Sequence, residues 1–484
     1  MESPIRQLEP KSLWNNFANL NAVPRASKKE ERVRQFMMDF GKKLNLKVEE
    51  DKVGNVVIRK PATAGMEGRT PLVFQSHLDM VHQKNADTNF DFETEGIRMK
   101  IDGDWVHADG TTLGADNGIG VATIMALLES NDIPHPAFDA LFTIDEETGM
   151  TGALGLEGSW LEGKILLNLD TEDDNELTIG CAGGVDVTAT GTYEEEELGD
   201  DFKGLKLSLK GLSGGHSGMD IHKGLGNANK LINRILWGSF ENFGIRIATI
   251  SGGGLRNAVP RESLATLAVP ENQLNSFRNF ITDFSDVLKN EHATTDPNLE
   301  IELEHIDVPK HVMQEDAQDG LLSAIYSCPN GIYRMSPDIA DLVQTSNNLA
   351  KVEVAKGAVA IQCLTRSSVD SEKEDLVDMI TATFGLIGCI TDSSGDYPGW
   401  QPQPKSDIVA LMRDIYVKRF SEEPHVMACH AGLECGILGT NYPEMDMVSF
   451  GPNIRGAHSP DEKVQISSVQ KYWGFLLETL QQIP

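Results

Sequence analysis

TPLVFQSHLD, residues 70–79, is a short apolar run that ends in polar and acidic residues, and PAFDALFTIDEE, residues 136–147, repeats this pattern. KVEEDKVGNVVIRK, residues 47–60, and KILLNLDTEDD, residues 164–174, are β-rich runs of the same kind. Between TPLVFQSHLD and PAFDALFTIDEE lies GADNGIGVATIMALLES, residues 114–130, in which glycines precede a helix of apolar character. Alternation of strands with helices is typical of an open α/β sheet. We therefore expect an α/β domain built on an open, mixed sheet.

The pattern of predicted secondary structure changes at GCAGGVDVTATG, residues 180–191, where strand-like segments begin to alternate with helical stretches. This pattern continues to GDYPGWQPQP, residues 395–404, a Gly- and Pro-rich passage of the kind that joins domains. After this passage, a helix and a strand follow that resemble those of the α/β segment before residue 180. We expect a discontinuous α/β domain of residues 1–186 and 400–484, with an α+β domain of residues 187–399 inserted into it.

Composition narrows the class of protein. A chain of 484 residues is too long for one ordinary core, and its formal net charge of -31 disfavours nucleic acid and anionic membranes as partners, although an acidic surface also commonly serves solubility. No apolar run approaches the roughly 20 residues that span a bilayer, and no export signal is recognisable. The six cysteines form no CxxC pair, which disfavours a disulfide scaffold or a thiolate metal site. We expect a cytoplasmic protein.

Residue types that bind metals follow several of the predicted strands. In open α/β sheets, ligands bind beyond the carboxyl ends of the strands, so residues at those ends can share one site. The candidates follow strands or precede the apolar helix: His77, Asp79, Asp116, Glu146, Glu147, Asp170 and His458. Each alone has an ordinary explanation, such as a solvated turn or a helix N-cap. Their joint occurrence in this order favours a metal site.

The candidates also indicate how many ions bind. The candidates occupy five places in the chain, and one ligand from each place gives two imidazoles and three carboxylates. This nitrogen and oxygen ligand set suits zinc first and manganese or cobalt as substitutes. A single catalytic zinc usually takes three protein ligands and a water molecule, whereas five ligands fit two ions that share one carboxylate. Asp116 is the natural bridge between the two ions.

The chain also contains an ordered series of motifs: SHLDMV, GTTLGADNGIG, DEETGMTGA, LLNLDTE, GGHSGMDIH and GPNIRGAHSPDE. This series resembles the co-catalytic zinc peptidase and aminoacylase superfamily. Within that group the chain is most similar to the bacterial Xaa-His dipeptidases, also called aminoacyl-histidine or cytosol non-specific dipeptidases. The resemblance runs from end to end and includes KPATAGME, GLRNAVPRE, DYPGWQP and HAGLECG. No single motif is diagnostic, but their combination is.

The resemblance implies a role for each candidate ligand. One ion is held by His77 and Asp170, the other by Glu147 and His458, and Asp116 bridges them. Asp79 then accepts the second ring N–H of His77, which fixes the tautomer of that ligand. The resemblance also implies a cis peptide bond between Asp116 and Asn117.

Catalysis requires groups that are not ligands. Two bound dications lower the pKa of a water molecule, and Glu146 is expected to accept its proton as general base and to protonate the leaving amine. His216, in GGHSGMDIH, is our candidate donor to the oxyanion, although it could also be a structural loop histidine, a role for which His222 is the better candidate. Since His216 belongs to the inserted domain, that domain is expected to act as a lid.

A dipeptide carries a carboxylate and an ammonium group, and the sequence offers counterparts for both. Related lids place an arginine and an asparagine at the carboxylate, which points to Arg366 in CLTRSS and Asn257 in LRNAVP. Glu434 in HAGLECG is the candidate for the ammonium group. Arg455, close to His458 in sequence, has no assigned role.

The resemblance thus implies hydrolysis of dipeptides with broad specificity, including carnosine-like Xaa-His substrates, by a homodimer associated through the inserted domain. An aminoacylase or a carboxypeptidase of the same superfamily would keep every metal ligand and differ in the pocket. A catalytically silent metal-binding relative is disfavoured because the base at Glu146 is present.

Overall fold

The computed structural model describes residues 4–484, which form strands, α-helices and short 3-10 helices. The strands are β1 (Lys47–Glu50), β2 (Val56–Lys60), β3 (Leu72–His77), β4 (Met99–Asp102), β5 (Trp105–Ala108), β6 (Phe138–Thr143), β7 (Ile165–Asn168), β8 (Glu176–Cys181), β9 (Gly183–Thr192), β10 (Glu195–Glu197), β11 (Phe202–Lys210), β12 (Arg246–Gly253), β13 (Ser263–Pro270), β14 (Glu300–Ile306), β15 (His311–Met313), β16 (Gly331–Met335), β17 (Val343–Ala355), β18 (Ala358–Ser367), β19 (Ile390–Tyr397), β20 (His425–Cys429), β21 (Asp446–Ser449), β22 (Ile454–Arg455) and β23 (Lys463–Gln465).

The α-helices are α1 (Lys11–Leu20), α2 (Glu31–Lys43), α3 (Ala115–Glu129), α4 (Thr151–Gly155), α5 (Ala228–Phe243), α6 (Leu274–Glu291), α7 (Glu315–Ser327), α8 (Asp370–Gly385), α9 (Asp407–Phe420), α10 (Glu434–Asn441) and α11 (Ile466–Gln482). The 3-10 helices are Pro4–Gln7, Ile221–Lys223 and Glu271–Gln273. Within residues 4–484, no helix has both the length and the apolar character that a bilayer span requires.

Two compact units divide the chain. Among the described residues, the first unit extends to Gly180 and includes Trp400–Ala428 and Leu433–Pro484, and the second comprises Cys181–Gly399 and Cys429–Gly432. Residues 181–186 and 429–432, expected in the first domain from the sequence, therefore lie in the second unit. The backbone explains the shift, because the Ala182 N–H donates to the carbonyl oxygens of Cys429 and Ala431, and β9 pairs with β18 from Gly183 onward.

An eight-stranded mixed sheet forms the framework of the first unit, in the order β1-β2-β6-β3-β7-β21-β8-β20. The strand β3 pairs in parallel with β6 and β7, whereas β1 and β2 are antiparallel to each other. All residues of β3, β6 and β7 are buried, as is usual for parallel strands covered on both faces. The predicted open mixed α/β sheet is confirmed, and the loops after β3, β6 and β7 leave the sheet at one edge.

The helix α3 begins at that same edge, and two glycines permit its close approach. A Cβ atom at Gly120 would lie 2.4 Å from Ser76 Oγ and 2.8 Å from the Leu169 carbonyl oxygen. A Cβ atom at Gly118 would lie 2.6 Å from the Arg25 side chain. These contacts explain why the start of the predicted apolar helix is rich in glycine. They also bring Asp116 next to the loops after β3 and β7.

A second sheet of the first unit was not expected from the sequence. Its four strands have the order β22-β23-β5-β4, and β22 and β23 form an antiparallel pair. Val106 of β5 and Val464 of β23 are fully buried and join a core with Trp14, Phe17 and Ile119. This sheet anchors both ends of the loop of residues 456–462, which carries His458.

The second unit is of the predicted α+β type. Its main sheet has nine strands, in the order β14-β11-β13-β12-β17-β18-β9-β19, with β16 paired to β17. All neighbouring strands of this sheet pair in antiparallel fashion. Its core includes Leu207 from the sheet and Ile232, Phe277, Leu322 and Phe384 from the helices α5 to α8.

Because each unit has its own core, we predict that Phe74→Ala destabilises the first unit and Phe277→Ala the second, each by about 3–5 kcal/mol. Both side chains are fully buried, and Phe74 packs edge-to-face on Phe138 at 5.1 Å between ring centroids. Hydrogen exchange of peptides from the mutated unit measures the effect. Leu386→Ala, at a side chain that is 88% exposed, is the control and should change stability by less than about 0.5 kcal/mol. An equal cost at Leu386 would contradict the prediction.

Candidate metal centre

The edge of the mixed sheet brings the predicted ligands together. His77 is the last residue of β3, Glu146 and Glu147 follow β6, and Asp170 follows β7. Asp116 lies at the start of α3, and His458 lies in the loop between β22 and β23. The chain passes through left-handed conformations at Asp145, with φ 55°, and at His458, with φ 63°. These turns give the two loops their sharp changes of direction.

Asp116 is at the middle of the cluster. Its Oδ1 atom lies 3.1 Å from His77 Nε2, and its Oδ2 atom lies 3.2 Å from His458 Nε2. On one side, Asp170 Oδ1 is 3.5 Å from His77 Nε2. On the other, Glu147 Oε2 is 3.0 Å from His458 Nε2. The two oxygens of one carboxylate therefore face two imidazoles, each of which has a second carboxylate beside it.

Three groups of side chains have ligand atoms that all lie within 4.8 Å of one another, so each group could hold one metal ion. They are His77 with Asp116 and Asp170, Asp116 with Glu147 and His458, and His77 with Glu146 and Glu147. The first two groups share only Asp116. The third includes Glu146, whose Oε2 atom is 4.0 Å from His77 Nε2.

Unsatisfied oxygens show that the cluster fits cations. Asp170 Oδ1 and Glu147 Oε1 are buried and accept no hydrogen bond. A buried carboxylate oxygen without a donor is costly unless a cation meets it. The nitrogen and oxygen donor set suits zinc, manganese or cobalt. The residues present therefore fit a pair of divalent ions.

The electrostatics of the cluster agree with this fit. Burial raises the pKa of Glu146 well above its usual range, and it also raises the pKa values of Glu147 and Asp170. Burial opposes ionisation of Asp116, but hydrogen bonds from His458 and His77 hold its pKa well below the usual range. Hydrogen bonds to Asp116 and Glu147 raise the pKa of His458 to about 11. A bound dication replaces the protons of these imidazoles, so binding of metal releases protons.

Asp79 connects two of the ligand loops. His77 Nδ1 lies 3.2 Å from the main-chain oxygen of Asp79 and 3.4 Å from its Oδ1 atom, so the closer partner of the ring is the backbone. The Asp79 carboxylate accepts the backbone N–H groups of Glu146 at 3.0 Å and of Glu147 at 3.3 Å. Asp79 thus contacts His77, as the resemblance implied, and also binds the backbone of the two glutamates.

Glu434 is fully buried next to this centre, at the start of α10. It accepts hydrogen bonds from Gln75 Nε2 and Thr143 Oγ1, both at 2.6 Å, and its Oε1 atom has no donor. Burial raises the pKa of Glu434 to about 8. Gln75, which also accepts from Asn168 Nδ2, was missed from the sequence, although a polar residue in the middle of a buried strand was a visible signal.

The remaining candidates lie in the second unit. His216 Nδ1 accepts the backbone N–H groups of Gly218 at 3.1 Å and Met219 at 3.0 Å, which places the proton of the neutral ring on Nε2. The next residue, Ser217, donates its N–H to the carbonyl oxygen of Asn257 at 2.8 Å. Asn257 itself is exposed.

Arg366 lies beside the His216 loop, within the same unit. Its Nη1 atom donates to Tyr397 Oη at 2.9 Å, and its buried Nε atom has no acceptor. His430, which was missed from the sequence, lies in the same neighbourhood and contacts Ser346 Oγ through Nε2 at 2.7 Å. Burial, together with the positive charge of Arg366, lowers the pKa of His430 to about 3. Histidine, arginine and asparagine candidates therefore occupy one region of the second unit.

Two residues have structural partners. Arg455 donates to the carbonyl oxygens of Glu172 and Ile454 and pairs with Asp173, which explains its position beside His458. The helix α5 begins at Ala228, and its cap is Asn227, whose side chain accepts from the N–H groups of Asn229 and Lys230. His222 therefore does not cap this helix.

A mixed α/β sheet that carries two imidazoles and several carboxylates around a shared aspartate defines the class of dinuclear metallohydrolases. More particularly, the chain belongs to Peptidase family M20/M25/M40, whose model matches residues 73–482. The chain is therefore a metal-dependent peptidase, and the resemblance seen in its motifs is confirmed.

Individual relatives support the same family assignment. The cytosol non-specific dipeptidase of Escherichia coli is 45% identical over 482 residues, which cover 100% of this chain and 99% of that protein. The crystal structure of aminoacylhistidine dipeptidase from Vibrio alginolyticus superposes with a TM-score of 0.92 at 43% identity, covering 100% of this chain and 99% of the other. Aminopeptidase PepT from Bacillus cereus shares the fold at 16% identity, with a TM-score of 0.57 and coverage of 98% and 99%.

We predict that Asp116→Asn weakens the binding of both ions, whereas Asp170→Asn and Glu147→Gln each weaken mainly one, because Asp116 has an oxygen within 3.2 Å of each of the two histidines. The loss should exceed the about 10- to 100-fold that removal of an indirect hydrogen bond costs. Titration of the metal-free protein with zinc or cobalt, with elemental analysis after dialysis, gives affinity and stoichiometry. Asp173→Asn, at a carboxylate that pairs with Arg455, is the nearby control. Retention of two tightly bound ions by Asp116→Asn would rule out a shared carboxylate.

Proposed function

We propose that this chain is a dipeptidase of broad specificity that hydrolyses the peptide bond of dipeptides, Xaa-His substrates among them, at a centre of two zinc ions. The observation that carries the proposal is the carboxylate of Asp116 between His77 and His458, with the adjacent carboxyl group of Glu146 beside His77. The names of the full-length relatives from Escherichia coli and Vibrio alginolyticus support the choice of substrate.

His77 and Asp170 hold one ion in this proposal, Glu147 and His458 hold the other, and Asp116 bridges them. The assignment is supported by the two groups of ligand atoms that share only Asp116. It also gives a partner to each of the donor-free oxygens of Asp170 and Glu147. Asp79 orients His77 and fixes the backbone of both glutamates. Zinc is preferred for its affinity for mixed nitrogen and oxygen ligands, and manganese and cobalt are substitutes.

Glu146 acts as the general base in the same proposal. When bound, the two ions supply polarisation of the substrate carbonyl and a water molecule of lowered pKa. Glu146 takes a proton from the attacking water and returns it to the leaving amine. Its burial suits this task, because a carboxyl group of raised pKa can hold the proton between the two steps.

The two ends of a dipeptide give the polar residues their roles. Glu434 accepts the substrate ammonium group, which suits a buried carboxyl oxygen that lacks a donor. Arg366 and Asn257 bind the substrate carboxylate, a task for which a guanidinium is the preferred partner. His216 donates its Nε2–H to the oxyanion, which agrees with a ring whose Nδ1 accepts two backbone N–H groups. In this proposal the second unit is the lid domain that the sequence resemblance implies.

The cellular setting is proposed from the name of a relative and from the sequence resemblance, not from the geometry of the site. We place the enzyme in the cytoplasm, as the name of the Escherichia coli relative suggests for that protein. We also propose a homodimer associated through the second unit, as the sequence resemblance implies. No nucleic acid or membrane partner belongs to this proposal.

We predict that the purified protein hydrolyses Ala-His, that a chelator abolishes the activity, and that zinc restores it. N-acetylalanine and the tripeptide Ala-Ala-His should be poor substrates, because a dipeptidase recognises a free amine and a free carboxylate one peptide bond apart. Release of free histidine or alanine is measured under identical conditions. Preference for N-acetylalanine would identify an aminoacylase instead, and preference for the tripeptide with release of its C-terminal histidine a carboxypeptidase. Activity that ignores the chelator would contradict the metal mechanism.

We predict that Glu146→Gln lowers kcat by about 10²- to 10⁴-fold while both ions stay bound, because the residue is a base and not a ligand. Metal content by elemental analysis and kcat on Ala-His are measured on the same preparation. Glu147→Gln is the matched variant on the neighbouring residue and should lose metal. If Glu146→Gln loses metal and Glu147→Gln keeps it, the two glutamates exchange roles.

A further inference from the structure

Glu462 is a buried carboxylate that no assigned role explains. Its side chain is only 2% exposed and accepts four backbone N–H groups in a row. Oε2 accepts from Leu113 at 2.7 Å and Gly114 at 2.9 Å, and Oε1 accepts from Ala115 at 2.7 Å and Asp116 at 3.2 Å. A single side chain thus binds the whole backbone segment that leads into the bridging aspartate.

These four N–H groups require a partner from elsewhere in the chain. They include the first N–H groups of α3, which have no acceptor within their own helix. The usual partner is the side chain of the N-cap residue, but this residue is Gly114, in a left-handed conformation with φ 69°. Glu462 supplies the acceptors from a position 346 residues away from Asp116 in sequence. The negative charge at a helix N-terminus is also favourable.

Arg25 holds the same segment from its carbonyl side. Its Nη2 atom donates to the Gly114 carbonyl oxygen, and its Nη1 atom donates to the carbonyl oxygens of Leu78 at 3.1 Å and Asp79 at 3.0 Å. Arg25 is also 2% exposed. Its planar guanidinium therefore joins the loop after His77 to the segment before Asp116, a span that a single ammonium group cannot reproduce.

The two side chains connect three ligand loops that are distant in sequence. Glu462 belongs to the loop of residues 456–462, which also carries His458 and is anchored between β22 and β23. Arg25 contacts the loop that follows His77. Both bind residues 113–116 by backbone hydrogen bonds, so the positions of His77, Asp116 and His458 depend on one another through Glu462 and Arg25.

We propose that Glu462 and Arg25 are positioning residues that hold the backbone of residues 113–116 so that the two oxygens of Asp116 face His77 and His458. The inference rests on the proposed role of Asp116 as the carboxylate shared by two ions. Neither residue touches substrate or metal in this view. They act through the geometry of Asp116.

Glu462→Gln tests the proposal with little change of volume. The amide keeps one acceptor oxygen but turns an NH₂ group toward two backbone N–H groups, so the segment before Asp116 loses half of its acceptors. We expect the affinity for zinc or cobalt to fall about 10- to 100-fold, the usual effect of losing a group that orients a ligand. The visible absorption spectrum of the cobalt-loaded protein should change, because the coordination by Asp116 changes. Glu462→Asp keeps the charge and should lie between the wild type and Glu462→Gln.

Asp51→Asn is the matched control for stability. The Oδ1 atom of Asp51 accepts the consecutive backbone N–H groups of Val53, Gly54 and Asn55 at 2.8 to 3.0 Å, in a loop without any metal-site residue. This variant should lower the melting temperature but keep the wild-type cobalt spectrum and affinity. If Glu462→Gln behaves like Asp51→Asn in both respects, Glu462 has only a structural role and the proposal is wrong.

Arg25→Lys keeps the test decisive if Glu462→Gln does not fold. It preserves the charge but cannot join Gly114 to the loop of Leu78 and Asp79, so it should also weaken cobalt binding and alter the spectrum. A wild-type spectrum and affinity in Arg25→Lys would overturn the proposal. These titrations use no substrate, so failure of the wild type to hydrolyse Ala-His contradicts the dipeptidase proposal alone. Failure of the wild type to bind two ions contradicts the shared carboxylate, and the inference falls with it.

Discussion

The placement of one carboxylate, that of Asp116, is the constraint on which the rest of the centre depends. Its oxygens lie 3.1 and 3.2 Å from the imidazoles of His77, at the end of β3, and His458, in the loop after β22, so a small rotation of the side chain would separate it from one of them. The helix that begins at a carboxylate residue does not by itself fix the direction in which the two carboxylate oxygens point. The position must be imposed by the loops around it.

Buried side chains connect those loops in pairs. Asp79 joins the loop after β3 to the glutamates after β6, and Asn117 Nδ2 donates to the Leu169 carbonyl oxygen at 2.6 Å, which joins the start of α3 to the loop of Asp170. Arg25 and Glu462 add the remaining connections. Such a network is expected where side chains must meet a metal within a few tenths of an ångström, since loops alone are mobile.

The sequence predicted those features that depend on local pattern. The three parallel strands β3, β6 and β7 were visible as short, mostly apolar runs, and the ligand residue types lie at or shortly after their ends. Glu462 lay within a motif used for the resemblance, yet its function could not be read from it. Its four partners are backbone N–H groups far away in sequence, and a backbone N–H has no sequence signature. The sheet of β4, β5, β22 and β23 was missed for a related reason, since its strands are as short as two residues and join distant segments.

The adjacent residues Glu146 and Glu147 illustrate how such a network can separate two identical side chains. The Asp79 carboxylate fixes both backbones, so their side chains leave the loop in set directions. Glu147 Oε2 lies 3.0 Å from His458 Nε2, whereas Glu146 Oε2 lies 4.0 Å from His77 Nε2. A carboxylate bound to a cation is a poor base because the cation lowers its proton affinity. This difference supports the proposal that Glu146, the more distant of the two, carries the proton, and burial raises its pKa well above its usual range.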